Sequence, residues 1–228
     1  MNDNFLSLPT PYRNAVLSDD FPSELIGWNK DGFYYRGEDS LFGFVQESCL
    51  LTTPSLQVPL MPGMYFCVSD SCTVEGGSGF AVRRLKHRAF NLIGGPIEQE
   101  GRLKYIDGCT DSLLIPPVKL GDPCLNLLHF PKQIRQTMHT HPSNRIGIVT
   151  RGRGVCHTPT GEHALVPGMA FIIPKEGQHC FSTQEQTMDV IAWHPDSDFG
   201  PMDGDHPMIN RTFVEGVSAA ILPHLQTK

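Results

Sequence analysis

Three histidines are the residues of this 228-residue chain whose types and spacing point most directly to chemistry. His139 and His141 are separated by one residue, so on a β-strand their side chains would point to the same side, with Cα atoms roughly 7 Å apart. His179 lies in a segment with glycine and proline that could bring a third imidazole from a neighbouring strand. Imidazole nitrogens are ligands for zinc, iron and other transition metals. The pattern therefore predicts a metal site formed by these three histidines inside a β-barrel.

The elements that would position these histidines are predicted to be β-strands. Short alternating or apolar runs recur between turn signals, and 19 prolines and 22 glycines separate them, which is typical of a sandwich or barrel. The clearest predicted strands are 41–45, 64–68, 113–115, 125–130, 146–150, 170–173 and 188–193. Helical periodicity is weak throughout, and the best short helix candidates are 18–28 and 215–225. We therefore predict an all-β fold.

An internal repeat indicates that two similar β-modules follow one another. The segment 58–66 resembles 165–171 at an offset of 105 residues, and 43–45 resembles 147–149 at an offset of 104. Two matches in order at nearly one offset favour a duplication. In this register the three histidines fall on Tyr35, Gly37 and Val74, so the first module has no equivalent metal ligands.

The second half of the chain resembles the cupin superfamily, which consists of small jelly-roll barrels with two signature motifs. The first, G-x5-H-x-H-x3,4-E-x6-G, resembles the stretch from His139 to Gly152, and the second, G-x5-P-x-G-x2-H-x3-N, resembles the stretch from Gly168 to Thr183. The resemblance implies a double-stranded β-helix with two fused modules. The expected divisions are an N-terminal arm (1–32), a degenerate module without ligands (33–98), a metal-binding module (99–200) and a C-terminal tail (201–228).

Two positions depart from the family motifs. Arg145 stands where the family usually has a glutamate ligand, and Thr183 stands where the second motif ends in asparagine. A guanidinium has no acceptor and cannot ligate a cation, so the expected ligand set is His139, His141 and His179. This set resembles the three-histidine subset of cupins, which includes thiol and diketone dioxygenases that hold ferrous iron. The resemblance implies Fe(II) as the metal, with Zn, Mn and Ni left open.

Arg145 has two alternative roles in this interpretation. As the predicted catalytic residue it would orient an anionic substrate with its planar guanidinium. Alternatively it would pair with a protein carboxylate, for which Glu176, Asp189 and Glu162 are the candidates. Apolar walls that exclude water from the site are expected from Phe171, Ile173 and Met138.

Three functions remain open from the sequence. The first is a small-molecule oxygenase whose substrate, expected to be anionic, chelates the metal. The second is an isomerase or lyase acting on a small acid or sugar, with Tyr65 or His163 as a base. The third is a metal- or metabolite-binding protein without catalysis, which the ligand-free first module makes plausible.

Polar residues outside the motifs are expected to have mainly structural roles. His129 is expected to be a hydrogen-bonded core residue, and His157 and His163 exposed hairpin residues. His194 ends a predicted strand. The residues from Tyr105 to Asp107, and Asp111, are expected to be turn residues, with a role as groups that support the site as the alternative.

Composition restricts the partners and location that we expect. A net charge of −6 without a strong cluster of Lys and Arg argues against nucleic acid, and no apolar run reaches the ~18 residues of a membrane span. We find no secretory signal. The seven cysteines include no Cys-x-x-Cys pair, so we expect buried, reduced thiols and a cytoplasmic protein. Because jelly-roll edges need cover, we expect a homo-oligomer, most simply a homodimer.

Overall fold

The structure is a computed structural model that describes residues 6–8, 12–16, 20–202, 206 and 208–227. Strands dominate it, and the three helices within these residues are single 3-10 turns at Ile106–Gly108, Ile209–Arg211 and Ala219–Ile221. The strands of the first half are β1 (Leu6–Leu8), β2 (Tyr12–Val16), β3 (Ser23–Trp28), β4 (Phe33–Tyr35), β5 (Ser40–Glu47), β6 (Cys49–Thr52), β7 (Gln57–Leu60), β8 (Tyr65–Val68), β9 (Cys72–Glu75), β10 (Ser78–Arg84) and β11 (Leu92–Gly94). Those of the second half are β12 (Leu103–Lys104), β13 (Thr110–Ile115), β14 (Cys124–Phe130), β15 (Arg145–Gly152), β16 (Gly154–Thr158), β17 (Gly161–Leu165), β18 (Ala170–Ile173), β19 (Cys180–Ser182), β20 (Met188–His194), β21 (Phe213–Val214) and β22 (Val217–Ser218).

Four sheets built from antiparallel pairs make up the body of the molecule. Strands of the first half form a six-stranded sheet, β11-β8-β5-β10-β3-β2, and a four-stranded sheet, β4-β9-β6-β7. Strands of the second half form a seven-stranded sheet, β1-β18-β15-β20-β14-β13-β12, and a three-stranded sheet, β17-β16-β19. The first strand of the chain, β1, pairs with β18 and so extends the sheet of the second half. The remaining strands, β21 and β22, form a small separate hairpin.

Three apolar cores hold these sheets together, because alternate residues of a strand face opposite sides. One core packs residues of the six- and four-stranded sheets, such as Trp28 and Leu51, against each other. A second packs residues of the seven- and three-stranded sheets, such as Val190 and Phe181. The third lies between the two largest sheets and contains Phe42 and Trp193, whose rings are 6.2 Å apart. The two halves are therefore joined by a buried apolar interface.

The segments recognised as a repeat have the same local structure. The Val45 amide donates to the Met64 carbonyl at 2.9 Å, and the Val149 amide donates to the Met169 carbonyl at 2.9 Å. A phenyl ring also covers a glycine in each half. A Cβ on Gly43 would lie 2.2 Å from the ring of Phe66, and one on Gly147 would lie 2.4 Å from the ring of Phe171. Glycine is required at both positions because the ring occupies the space of a side chain.

The all-β prediction is confirmed, and all seven of the clearest predicted strands are present. Both helix candidates are wrong. Where it is described, the segment 18–28 contains strand β3, because its apolar residues pair into the six-stranded sheet. The segment 215–225 contains β22 and a 3-10 turn. All seven cysteines are free and buried, as predicted. No helix in the described part of the chain is long and apolar enough to cross a membrane. The four domain divisions stay a prediction.

Candidate metal centre

Two of the three histidines lie in the loop between β14 and β15. The loop runs antiparallel to β19 and the residues before it, with isolated bridges from Arg135 to Ser182 and from His139 to His179. The amides of His139 and His179 each donate to the other residue's carbonyl at 3.0 Å. The sequence predicted a strand at His139 and His141, whereas the structure has an extended loop with single bridges. The consequence is the same, because in an extended loop the side chains of residues 139 and 141 still point to the same side.

Two polar side chains fix this loop against β19. The backbone amide of buried Gln136 donates to the Phe181 carbonyl at 2.9 Å. The side-chain oxygen of Gln136 accepts from the backbone amide of Phe181 at 3.3 Å. The Thr183 hydroxyl accepts from the backbone amide of Ile134 at 3.2 Å. The backbone amide of Thr183 donates to the Ile134 carbonyl at 2.9 Å. At the position where the family motif has asparagine, Thr183 therefore anchors the start of the histidine loop.

The three imidazoles converge on one point. Their potential ligand atoms all lie within 4.8 Å of one another. The ring centroids of His139 and His179 are 4.5 Å apart, and the ring of His141 is 5.1 Å and 5.2 Å from them. Nitrogens bound to one ion at about 2.0–2.1 Å lie within about 4 Å of one another, a slightly closer spacing that small rotations of the rings can reach. The cluster could therefore hold one metal ion.

Hydrogen bonds to the backbone fix the tautomers of two of these rings. Nδ1 of His139 lies 2.8 Å from the carbonyl oxygen of Thr137, and Nδ1 of His179 lies 2.9 Å from that of Gly177. A carbonyl only accepts, so each Nδ1 carries the proton and each Nε2 keeps a lone pair. A backbone partner of this kind is typical of metal-ligating histidine.

The electrostatics of the cluster keep two of its imidazoles neutral. Burial, with smaller contributions from Arg145 and the two other rings, lowers the pKa of His141 to about 3. Burial lowers the pKa of His179 to about 4, with smaller contributions from His139 and Arg145. Both rings are therefore unprotonated near neutral pH, which is the form that binds metal.

The cluster faces a cavity of about 460 Å³ inside the barrel of the second half. Phe130, Phe171 and Ile173 contribute apolar wall, as predicted for the latter two. Met138 does not line the cavity and is 43% exposed. Its position follows from the extended loop, in which the neighbour of the inward-facing His139 points outward.

Arg145 lines the same cavity and is held by groups of its own loop. Its Nη1 donates to the Ser143 hydroxyl at 2.5 Å and to the Asn144 carbonyl at 2.9 Å. Nη1 also lies 3.6 Å from a carboxylate oxygen of Asp196, while Nε has no hydrogen-bond partner among the described residues. Burial lowers the pKa of this guanidinium and Asp196 raises it. Arg145 thus has a protein carboxylate partner and still faces the cavity.

The partner of Arg145 is not one of the three predicted carboxylates. Asp189 is bound by Arg151, with Nε 2.5 Å away, and Glu162 lies 3.0 Å from His157. Glu176 forms no ion pair with Arg145 among the described residues, and it occupies a turn with positive φ. Asp196 follows β20, and sequence analysis could not know that the end of β20 lies beside the start of β15.

Other residues took positions that the sequence did not anticipate. His194, Tyr105 and Asp111 line the cavity, so for Tyr105 and Asp111 the alternative of a role near the site fits better than the expected turn role. Burial lowers the pKa of His194 well below its ordinary value. His157 is buried rather than exposed, with Nε2 2.7 Å from the Ser182 hydroxyl. The alternation of residues along β14 and β20 was the sequence signal for the cavity wall. Which residues of different strands lie side by side in that wall is set by the strand pairing, which the sequence does not reveal.

The remaining predictions concern residues away from the cavity. Tyr65 lies on β8 and packs against the core between the large sheets, and His163 lies on β17. Neither lines the cavity, so neither can act as the base there. His129 is a hydrogen-bonded core histidine as predicted, with Nδ1 2.6 Å from Asp189.

Comparison with known proteins relates the chain to ligand-binding barrels. Residues 121–190 match the model of a family described as the AraC-like ligand binding domain. A search of curated proteins gave no significant match. Three similar solved structures illustrate the fold. A cupin 2 conserved barrel domain protein from Leptotrichia buccalis has a TM-score of 0.58 at 14% identity, covering 83% of this chain and 88% of that one. Protein Ylba from E. coli has a TM-score of 0.61 at 14% identity, covering 89% and 94%.

The third similar structure is an enzyme complex. It is a salicylate 1,2-dioxygenase variant from Pseudoaminobacter salicylatoxidans in complex with gentisate, with a TM-score of 0.56 at 10% identity, covering 77% of this chain and 68% of that one. TM-scores of this size at identities of 10–14% show a common fold and no more.

Proposed function

This chain has the fold of the cupin barrels, and from that premise we propose that its second barrel is a metal-dependent oxygenase of small anionic molecules. The observation that carries the proposal is the convergence of His139, His141 and His179 on one point inside a cavity. The native metal that we propose is Fe(II), with imidazole ligation equally compatible with Zn, Mn and Ni.

The chain's own groups suit a divalent ion at this point. The tautomers of His139 and His179 present Nε2 lone pairs, and burial keeps His141 and His179 neutral. No carboxylate joins the three imidazoles in the cluster formed by the described residues. A bound ferrous ion would supply Lewis acidity, open coordination positions and one-electron chemistry with dioxygen. Because neutral ligands leave its charge uncompensated, an anionic, chelating substrate is favoured.

Arg145 would bind and orient that substrate. Its guanidinium is only 13% exposed and faces the cavity beside His141 and His179. Asp196 partly neutralises it at 3.6 Å, which is long for an ion pair, so a substrate carboxylate can compete for it. The phenyl rings of Phe130, Phe171 and Phe181 would exclude water around the reacting group.

The size and lining of the cavity define the substrate class. A volume of about 460 Å³ lies within the ~300–1,000 Å³ range of small-molecule pockets. Apolar walls with an arginine at one end favour a hydroxy acid with an apolar body, aromatic or aliphatic. The solved dioxygenase with gentisate is a structural neighbour whose ligand has this chemistry, and it makes aromatic hydroxy acids the first compounds to test.

Oxygen consumption tests the proposal. Protein stripped with a chelator is loaded anaerobically with Fe(II) and mixed with salicylate, gentisate, small thiols, diketones and aliphatic hydroxy acids. Uptake of oxygen with at least one class, lost in His179→Ala and retained in His224→Ala, is the expected result. His224 is an exposed histidine outside the barrel and serves as the matched control. Oxygen uptake by none of these compounds, with Fe(II) bound, would contradict an oxygenase role.

A binding role without turnover is the second candidate. The match of residues 121–190 to an AraC-like ligand binding domain favours it, because that description names binding and no reaction. The two candidates differ in one observable. A ligand that binds the metal-loaded protein tightly and is recovered chemically unchanged under oxygen would support binding alone.

A further inference from the structure

A half-buried polar pair on the wall of the cavity has no task in the function proposed so far. Asp111 on β13 and Asn126 on β14 both line the cavity. The side-chain amide of Asn126 donates to both carboxylate oxygens of Asp111, at 3.0 Å each. Burial raises the pKa of Asp111, and the hydrogen bond from Asn126 opposes this. Among the described residues no cation pairs with Asp111.

This pair leaves acceptors without donors. An ionised carboxylate only accepts, so Asn126 must turn its amino group toward Asp111 and its carbonyl oxygen away. That oxygen, Oδ1, is buried and has no hydrogen-bond partner among the described residues. A buried acceptor without a partner is destabilising, and this oxygen is closed off from the cavity as well as from the protein's donors. The Asp111 carboxylate, held in place by Asn126, therefore is the group that offers acceptor capacity to whatever fills the cavity.

The pair and Arg145 lie on different strands of the seven-stranded sheet. Strand β20 lies between β14 and β15, so the Cα atoms of Asn126 and Arg145 are at least two interstrand spacings apart, about 10 Å. Burial raises the pKa of Tyr105, which also lines the cavity, while Arg145 lowers it and Asp111 raises it, so both charges act on this ring. The cavity wall thus carries a cation on one strand and an acceptor further along the sheet.

We propose that Asp111, positioned by Asn126, forms a specificity subsite whose carboxylate accepts a hydrogen bond from a hydroxyl or amino group at the far end of the substrate. The inference rests on the proposed function, because the metal and Arg145 define the near end. The substrate class is then a small acid that chelates at one end and carries a hydrogen-bond donor at the other. The two residues position the substrate and take no part in its chemistry.

Calorimetric binding to the zinc-loaded protein tests this with four matched compounds. Salicylate carries no group at ring position 5, gentisate carries a hydroxyl, 5-aminosalicylate an amino group, and 5-methoxysalicylate an acceptor of similar size. The proposal predicts that gentisate or 5-aminosalicylate binds about tenfold tighter than 5-methoxysalicylate, as expected for one hydrogen bond to a half-buried charged acceptor. Whichever of gentisate and 5-aminosalicylate binds more tightly shows whether the preferred donor is a hydroxyl or an amino group.

The variant Asp111→Leu/Asn126→Leu removes the acceptors while preserving side-chain volume, a change that is often tolerated when both partners are replaced. We expect it to bind salicylate within about threefold of wild type and to lose the preference for donors. Asp31→Asn, on an exposed turn of the first half, is the control. Equal binding of donor and methoxy compounds by wild type, or a preference that survives in the double variant, overturns the subsite. Failure of all four compounds to bind overturns the proposed substrate class, and the subsite with it.

Discussion

Arg145 and Asp196 form a long ion pair at the edge of the cavity, with Nη1 and Oδ1 3.6 Å apart and side-chain exposures of 13% and 26%. The Ser143 hydroxyl contacts both residues, because it accepts from Arg145 and donates to Asp196. The guanidinium is therefore fixed in place while only partly neutralised. A carboxylate ligand would compete with Asp196 for the same cation.

The first prediction concerns that competition. Asp196→Asn keeps the shape and the bond to Ser143 but removes the competing charge, so a carboxylate ligand such as salicylate should bind several-fold tighter. The free energy of unfolding should fall by about 1 kcal/mol, because a mostly buried cation loses its partner. Titration calorimetry and thermal unfolding measure the two effects. Asp70→Asn, which removes an exposed ion pair with Arg88, should change neither. Weaker ligand binding in Asp196→Asn would show that Asp196 supports the ligand instead of competing with it.

The second prediction concerns the pH dependence of the metal-free protein. Folded His141 and His179 have pKa values lowered to about 3 and about 4, whereas an unfolded imidazole titrates near ~6.5. Between these values the unfolded state binds more protons, so stability is present above pH ~6.5 and is lost as pH falls toward about 4. Melting temperatures of chelator-treated protein at pH 7.5, 6 and 5 should decrease in that order.

A variant separates these histidines from the others in the chain. His141→Gln removes one of the two groups and should reduce the slope of melting temperature against pH, while His224→Ala should leave it unchanged. An identical slope in wild type and His141→Gln would refute the assignment.

The third prediction uses the two glycines that lie under phenyl rings. Gly147→Ala places a Cβ 2.4 Å from the ring of Phe171, and Gly43→Ala places one 2.2 Å from the ring of Phe66. Each should destabilise the fold by about 1–3 kcal/mol through overpacking. Only Phe171 lines the cavity, so only Gly147→Ala should also weaken ligand and metal binding, by about tenfold or more. Thermal unfolding and calorimetry on both variants check this. Equal losses of ligand and metal binding in the two variants would contradict the prediction that only the glycine under Phe171 affects the cavity.

Much of the fold and the metal cluster was predictable because both depend on local patterns. Alternation and turn residues located the strands, and the spacing of His139, His141 and His179 located the ligands that the structure brings together. The repeat was visible because Gly43 and Gly147 occupy equivalent places under equivalent rings.

What the sequence could not give depends on register between distant strands. Asp196 reaches Arg145 because β15 and β20 pair in one particular alignment, and Asn126 reaches Asp111 because β13 and β14 do. A shift of one residue would turn each of these side chains to the other face. His157 was misjudged for a related reason, since its burial follows from pairing with β19 as well as with its hairpin partner. Met138 was misjudged because its loop follows strand alternation without being a strand.

The most direct test of the central claim is the stoichiometry of metal bound by the chelator-treated protein at pH 7.5, measured by equilibrium dialysis against micromolar Zn(II) and, anaerobically, Fe(II). Convergence of His139, His141 and His179 predicts about one ion per chain in wild type and in His224→Ala, and a loss of at least about 100-fold in affinity in His179→Ala. Metal binding of the same strength in wild type and His179→Ala, or none in wild type, would contradict the account.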